Sequence, residues 1–379
     1  MPARRSAANP IDLALCRRCQ TVDPAITVRS EPLCESCFSR YVHTKIVKRM
    51  ESFRVRYADP GQQRRLLLPV TFDASSITLL HVLHHHLSGR QMQKTGRTGF
   101  RLLLVHVRDD SRRDVDLRHD GRSPMLDRLE RAYPGHECSA ISLSDVLTQA
   151  GIRELFPSSV PSSEGGGGGD SGGTAPTGST PADRLQHLLG SLGSATSQAD
   201  ARDLLERRLL VAHARAHSCE AILQPDSTTR LAEKTLAETA KGRGFALPWL
   251  IADGESPHGV AFYHPLRDLL NAEIAAYIAF LGAAAEGLIV AGPAVKPTTV
   301  SARRATIDDL MAQYFASVER EYPSIVANVV RTTAKLEAAP WREAELRCEL
   351  CEMPLDGQAP ERSRLCYGCI RTLPAVAAG

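Results

Sequence analysis

The pattern of apolar and polar positions predicts an α/β core with a mostly parallel sheet. Short apolar runs suited to buried strands occur at residues 66–72, 101–107, 137–143, 221–223 and 260–263. Segments with the helical spacing of apolar residues follow or separate them, at residues 77–87, 126–133, 200–217, 228–241 and 266–280. Strands that alternate with helices through short turns form a parallel sheet, and the helices then cover both of its faces.

The turn after the first strand has the position of a nucleotide loop but not its composition. It consists of Phe72, Asp73, Ala74, Ser75 and Ser76. In nucleotide-binding α/β proteins this turn holds phosphate on the free N–H groups of a helix N-terminus. A close wrap around phosphate needs glycine, and no glycine lies between residues 66 and 87. Asp73 is expected to cap the helix with its own carboxylate, where an anion would otherwise bind. We therefore predict a degenerate nucleotide loop.

Eight of the ten cysteines form four Cys-x-x-Cys pairs, two near each end of the chain. They are Cys16, Cys19, Cys34, Cys37, Cys348, Cys351, Cys366 and Cys369. The pairs of each set are separated by residues 20–33 and 352–365, which are stretches of equal length. In a reducing compartment this regularity favours metal over disulfides, with chance or redox pairs as the alternative. Four thiolates suit structural Zn²⁺ and leave no open position for catalysis, so we predict two structural zinc sites.

A basic amphipathic helix is predicted directly after the first cysteine set, at residues 38–57. Basic side chains outnumber acidic ones between residues 40 and 65; they are Arg40, Lys45, Lys48, Arg49, Arg54, Arg56, Arg64 and Arg65. Clustered arginine and lysine neutralise nucleic-acid phosphates, whereas a solvated helix face is the simpler alternative. The sequence alone leaves both interpretations open.

Composition sets the domain organisation without identifying a partner. The net charge is +3, and 43% of the residues are hydrophobic, as in ordinary globular proteins. No secretory signal is expected, and the longest apolar run, residues 274–285, is too short for a membrane span. We predict a zinc module at 1–38, a basic helix and linker at 39–65, an α/β domain at 66–292, a helical extension at 293–340 and a second zinc module at 341–379. Residues 157–183, rich in Gly, Ser, Thr and Pro, predict a disordered insertion.

Two other groups of possible metal ligands are weaker. His81 and His85 lie one helical turn apart, but a polar helix end is favoured over a metal site because no carboxylate or cysteine is close in sequence. Cys138 and Cys219 remain outside the paired sets. An iron–sulfur cluster normally needs at least three thiolates, so these two are expected to be buried structural thiols.

The whole chain resembles the cytoplasmic tRNA 2-thiolation protein 2 family. The resemblance is carried by the two cysteine sets and by three strings in the family's order: LQPDSTTRLAEKTL at 223–236, HPLRDLL at 264–270 and YPSIV at 322–326. It implies a cytoplasmic protein with the fold of the PP-loop ATP pyrophosphatases. The active loop of that superfamily reads Ser-Gly-Gly-x-Asp-Ser, and the matching stretch from Phe72 to Ser76 lacks both glycines.

The resemblance also implies a division of labour between two subunits. In this pathway a paralogous catalytic subunit adenylates the wobble uridine U34 of lysine, glutamate and glutamine tRNAs, and a thiocarboxylated ubiquitin-like carrier supplies the sulfur. This chain is then expected to be the non-catalytic partner, to contact tRNA through its basic residues and not to bind ATP. Two alternatives stay open: an active ATP-dependent tRNA-adenylating sulfurtransferase, and a zinc adaptor in conjugation of the carrier.

Overall fold

The computed structural model describes residues 12–53, 64–91, 99–111, 123–156, 180–290, 305–338 and 341–373, the last range without positions 343, 345 and 356. Within these residues no helix has the length and apolar content that a membrane crossing requires. The predicted α/β class is confirmed, and all five predicted strands are present with small shifts of their ends.

A parallel sheet forms the centre of the described structure. The strands are β3 (Arg64–Pro69), β4 (Phe100–Arg108), β5 (Glu137–Ser142), β6 (Ala221–Leu223) and β7 (Ala261–Tyr263). Their order in the sheet is β5-β4-β3-β6-β7. Leu66 lies opposite Leu102 in β4 and Ala221 in β6. Leu66 and Leu68 pack on one face of the sheet and Leu67 on the other, which is why the strand is apolar at consecutive positions.

Helices cover both faces of this sheet. The helices are α1 (Glu35–Ser52), α2 (Ala74–Gln91), α3 (Pro124–Ala132), α4 (Ile152–Leu155), α5 (Pro181–Gly190), α6 (Ala195–Ala216), α7 (Thr228–Ala240), α8 (Leu247–Leu250), α9 (Asn271–Leu281), α10 (Ile307–Glu321), α11 (Pro323–Thr333) and α12 (Tyr367–Thr372). Helices α1, α2, α3 and α9 pack on the face of Leu66, whereas α6 packs on the face of Leu67. Helix α5 begins at Pro181, inside the range predicted as an insertion; residues 157–179 lie outside the described residues.

Helix α9 begins later than the predicted position 266. Residues 264–270 form turns instead, because their polar groups are used by neighbouring elements. The Thr228 N–H donates to the Leu269 carbonyl at 2.8 Å, and Arg267 pairs with Asp253 at 3.0 Å. The Leu270 N–H donates to the Glu273 carboxylate at 2.9 Å, and this bond caps the new helix start.

The two cysteine sets are attached to this core at different places. In the N-terminal set, the hairpin of β1 (Ile26–Val28) and β2 (Glu31–Leu33) leads into α1, and Phe38 packs edge-on against Phe280 with ring centroids 5.8 Å apart. The C-terminal set shares a separate apolar core with α5, α6 and Trp249. Helices α10 and α11 pack on α7 through Phe315.

Candidate functional site

The start of α2 is closed by its own aspartate. The Asp73 carboxylate accepts a hydrogen bond from the Ser76 backbone N–H at 2.7 Å, and the Asp73 carbonyl accepts from the Ile77 N–H at 3.1 Å. The cap that the sequence predicts is therefore present. Because the carboxylate stands at the positive end of the helix, it would repel an anion from this position.

Phe72 fills the turn in front of this cap. Its φ is +57°, a left-handed conformation that costs about 1–2 kcal/mol for a residue with a Cβ and is easily adopted by glycine. Its side chain is 3% exposed and packs against the His106 ring at 4.8 Å. The Phe72 carbonyl accepts a hydrogen bond from the Val290 N–H at 2.9 Å, so the chain near residue 290 crosses this turn. The turn is thus occupied by an aromatic ring and a neighbouring segment.

Three of the eight predicted nucleic-acid-binding residues are used in ion pairs within the chain. Arg49 pairs with Asp253, and Arg65 pairs with Glu137. Arg64 pairs with Glu220 at 3.0 Å. Each partner lies far away in sequence, which is why the sequence pattern did not separate these arginines from the rest. They hold β3 and α1 to neighbouring elements.

Three others lie on α1 with their charge available. Arg40 and Lys48 are exposed, are separated by two helical turns and have no ion pair within the described part of the chain. Lys45 is half-buried, and its Nζ lies 5.6 Å from the centre of the Tyr41 ring. Arg54 and Arg56 lie outside the described residues. The guanidinium of Arg18 lies 5.2 Å from the same Tyr41 ring, but Arg18 is paired with Glu31 at 2.9 Å and its charge is balanced within the chain.

The eight paired cysteines form two compact groups. The four Sγ atoms of each set lie within 4.8 Å of one another. Cys19 and Cys34 have their sulfurs 3.8 Å apart, as do Cys351 and Cys366. A tetrahedral ion with bonds of about 2.3 Å to sulfur requires a separation of about 3.8 Å, so both groups fit a four-coordinate metal. Each set could hold one metal ion.

Local structure prepares both groups in the same manner. The second pair of each set begins a helix: Cys34 precedes α1, and Cys366 precedes α12. Burial alone would raise the pKa of Cys16, but the backbone N–H groups that donate to its sulfur have the larger effect. Together they lower the pKa of Cys16 below its usual value, to about 6. In the second set the Cys366 N–H donates to the Cys348 sulfur at 3.4 Å. The thiolate of Cys16 is thereby stabilised, whereas burial, together with the neighbouring thiols, raises the pKa of Cys37 to about 12.

The C-terminal set is more deeply built into the core than the N-terminal one. All four of its cysteines are buried, whereas Cys19 and Cys37 are half-buried. Arg208 of α6 donates to the carbonyl of Leu350 at 3.5 Å and pairs with Glu352 at 3.4 Å. This set is consequently part of the domain's packing.

The expectation of a polar helix end is wrong for His81, which is buried, whereas His85 is exposed as expected. His81 is 9% exposed and lies 3.2 Å from the Tyr133 hydroxyl, while His84 Nδ1 lies 3.0 Å from His136 Nε2. Burial first, and neighbouring imidazoles second, lower the pKa of His81 and of His136 to about 4. His43 of α1 completes the cluster through the Tyr277 hydroxyl at 2.6 Å.

No third metal group accompanies the two cysteine sets among the described residues. Cys138 packs on the face of the sheet that carries Leu66, and Cys219 packs on the opposite face with Leu67. These two thiols therefore cannot share one ion; Cys219 is buried as expected, whereas Cys138 is half-buried.

Comparison with known proteins points to the same family and the same fold as the resemblance seen in the sequence. The model of the family "Cytoplasmic tRNA 2-thiolation protein 2" matches residues 306–364. Among solved structures, the U34-tRNA thiolase NcsA from Methanococcus maripaludis with its [4Fe-4S] cluster has a TM-score of 0.58 at 13% identity, covering 93% of this chain and 95% of its own. That likeness supports the predicted PP-loop fold.

Sequence relatives cover nearly the whole chain. The cytoplasmic tRNA 2-thiolation protein 2 of Pyrenophora tritici-repentis is 42% identical over 95% of this chain and 94% of its own length. That of Phaeosphaeria nodorum is 40% identical over 99% of this chain and 98% of its own. Both are named as cytoplasmic proteins, in agreement with the expected location. The chain belongs to the cytoplasmic tRNA 2-thiolation protein 2 family.

Proposed function

We propose that this chain is the non-catalytic subunit of a heterodimeric tRNA thiolation complex. The family is one of tRNA 2-thiolation. In the proposal a paralogous subunit carries the active PP-loop, and the complex thiolates the wobble uridine U34 of lysine, glutamate and glutamine tRNAs. Sulfur reaches that subunit from a thiocarboxylated ubiquitin-like carrier. In the proposal, this chain acts as a scaffold that binds the tRNA and the catalytic subunit.

The observation that carries the proposal is the capped start of α2. A PP-loop enzyme must hold a triphosphate to adenylate uridine, and it does so with free N–H groups and glycines. Here the Asp73 carboxylate accepts the Ser76 N–H, and the buried Phe72 ring fills the turn. A polyphosphate at this point would meet negative charge and an apolar ring. A chain built in this way needs a partner to activate the uridine.

The tRNA surface in this proposal is the exposed face of α1. Arg40 and Lys48 project from one side of the helix, and Lys45 lies beside them over Tyr41. Cations on an exposed helix face can contact RNA phosphates, and contacts of this type position the nucleic acid without reading its sequence. Arg49, Arg64 and Arg65 stay outside this surface, since their charges are balanced within the chain.

Both cysteine sets are proposed to hold structural Zn²⁺. When bound, the ion supplies a crosslink between two thiolate pairs and no open coordination position. Cys34 and Cys37 would join the start of α1 to the turn before β1, so the ion would fix the direction of the basic helix. Cys366 and Cys369 would in the same way hold α12 against the turn of Cys348.

Reconstitution tests the proposal directly. This chain and its catalytic paralogue are purified separately and supplied with tRNA, ATP and the thiocarboxylated carrier, alone and together. We expect 2-thiouridine, measured by mass spectrometry of digested tRNA, only when both subunits are present. Thiolation by this chain alone contradicts the proposal. Carrier binding without any tRNA binding would instead favour the adaptor alternative.

A further inference from the structure

Helices α10 and α11 carry a group of exposed apolar side chains. The two helices meet at Tyr322, and they pack on each other and on α7. Within residues 307–336, five large aliphatic or aromatic residues are between 46% and 57% exposed. They are Leu310, Tyr314, Tyr322, Ile325 and Leu336. We call this group the α10–α11 face.

The α10–α11 face is separate from the side on which these helices join the core. Phe315 of α10 and Val326 of α11 are buried in one apolar core with Leu231 of α7. Leu310 and Tyr314 lie one helical turn apart along α10 and stay outside that core. A surface helix normally has a single apolar stripe, which faces the core. A second group of apolar side chains on the same helices therefore calls for a second packing partner.

The size of this face suits the centre of a protein–protein interface. A large side chain has about 150–250 Å² of surface, so five that are half exposed present roughly 500 Å² of mainly apolar surface. A stable interface buries about 800 Å² on each partner, and a little over half of that area is apolar. Two of the five residues are tyrosines, a residue type that is enriched where the binding energy of an interface is concentrated.

The charges around this face favour a protein over RNA. Asp309 and Glu321 are exposed, as are Arg320 and Arg331, so both signs are present in similar number. A phosphate backbone is attracted by an excess of positive charge, and these helices do not provide it. An apolar centre with a rim of mixed charge is typical of a surface that binds another protein.

The position of this face in the chain indicates which protein binds it. The family model matches residues 306–364, so the matched segment begins at α10 and includes α11. These helices thus lie in the segment by which a member of the family is recognised, and the proposed function gives the members one shared task, to hold the catalytic subunit. A second copy of this chain fits less well, because it carries the same Asp73 cap and adds no active PP-loop.

We propose that the α10–α11 face binds the catalytic subunit of the thiolation complex. This assignment rests on the proposed function and adds the place of contact to it. None of the five residues belongs to α1, so the tRNA and the catalytic subunit bind different surfaces of this chain.

Variants of the full chain test the assignment. The double variant Tyr314→Glu and Ile325→Glu places two carboxylates in the α10–α11 face. Its control, Leu13→Glu with Val22→Glu, makes the same kind of change at exposed apolar residues of the N-terminal cysteine set. Calorimetry measures binding to the purified catalytic subunit. We expect the α10–α11 variant to bind about a hundredfold more weakly or worse, because loss of one central side chain costs about tenfold or more. The control should bind as the unchanged chain does.

Hydrogen exchange gives a readout that does not depend on how a variant folds. Addition of the catalytic subunit to the unchanged chain should slow amide exchange within residues 307–336. Circular dichroism melting checks that the α10–α11 variant is folded, and this variant should keep the tRNA affinity of the unchanged chain.

The contrary results are distinct for this assignment and for the proposed function. Equal affinity of the folded variant and the unchanged chain for the catalytic subunit, or no slowing of exchange, overturns the assignment alone. If the unchanged chain does not bind the catalytic subunit at all, the proposed function falls with it. A dimer of the unchanged chain that the α10–α11 variant dissolves, measured by light scattering, assigns the face to a second copy and overturns the proposal.

Discussion

The Asp73 carboxylate accepts the Ser76 backbone N–H at 2.7 Å and so occupies the end of α2 where a PP-loop would hold phosphate. The same side chain that stabilises the helix thereby excludes an anion from its N-terminus. In the proposed division of labour, this one residue both stabilises the helix and disfavours a phosphate at its start.

Removing this cap should cost stability. The Asp73→Ala variant leaves the Ser76 N–H without its acceptor, and we expect the free energy of unfolding to fall by about 1 kcal/mol. Urea unfolding followed by circular dichroism measures the change. Ser75→Ala in the same turn is the matched control, because the Ser75 side chain makes no hydrogen bond within the described part of the chain. Equal stability of both variants would show that the cap contributes nothing.

The two metal groups should differ in what their loss does to the fold. We expect two zinc ions per chain by atomic emission, and one in either Cys37→Ser or Cys366→Ser. Because Cys366 is fully buried in the core that contains Trp249, Cys366→Ser should shift tryptophan emission and lower the melting temperature of the whole domain. Cys37→Ser should leave the environment of Trp249 unchanged. The reverse order of effects, or iron in place of zinc, contradicts this assignment.

Charge reversal on α1 should weaken tRNA binding without unfolding the chain. The double variant Arg40→Glu and Lys48→Glu changes two exposed side chains and is expected to reduce the affinity for tRNA at low salt. The slope of affinity against salt concentration should also fall, by about one released ion for each phosphate contact that is lost. Filter binding over a salt series measures both quantities. Arg320→Glu and Lys335→Glu, exposed on the helical extension, form the control. Unchanged affinity of the α1 variant at low salt would remove this surface from the proposal.

Arg49 is a different case from its neighbours on α1. It is paired with Asp253, so Arg49→Glu would place two carboxylates together and lower stability. A loss of tRNA binding in that variant could not be separated from local unfolding. Its melting temperature should fall below that of the Lys48→Glu variant, and equal melting temperatures of the two variants would show that the contact with Asp253 contributes nothing.

The histidine cluster should make the fold sensitive to acid. The pKa of His81 and of His136 is about 4 in the folded chain and near 6.5 when unfolded, so the unfolded state binds more protons between these values. Stability is then lost as the pH falls from about 6.5 to 4, by at most about 3 kcal/mol for each ring. Urea unfolding at several pH values measures the slope. His81→Gln should flatten that slope, and an unchanged slope would show that the ring is protonated in the fold.

Much of the fold follows from local sequence. The apolar run around Leu66 is buried on both sides because it is the central strand of the sheet, and the helical spacing around Ile77 places α2 over it. The four-cysteine groups could also be predicted from the sequence, since each Cys-x-x-Cys turn fixes two thiolates and only one further contact joins the pairs. Asp73 could be recognised as a cap because its partner is three residues away.

Contacts between distant segments could not be predicted in this way. Nothing near Arg49 in the sequence distinguishes it from a surface cation, because its partner Asp253 is distant in sequence. The sequence around His81 has the composition of a polar helix end, but His81 is enclosed by Tyr133 at the end of α3 and by Tyr277 of α9. Arg207, Trp249 and His258 line one small cavity although they come from separate elements, and no local motif marks them as a group.

The most direct test of the division of labour is tRNA-dependent release of pyrophosphate from ATP by this chain alone. Adenylation of U34 with ATP must release pyrophosphate. We expect no release above the level without protein, and release when the catalytic paralogue is added. Restoring glycine at both Asp73 and Ala74 tests whether the turn alone limits the chemistry. Pyrophosphate release by the unchanged chain, at a rate comparable with that of the paralogue, would contradict a non-catalytic role.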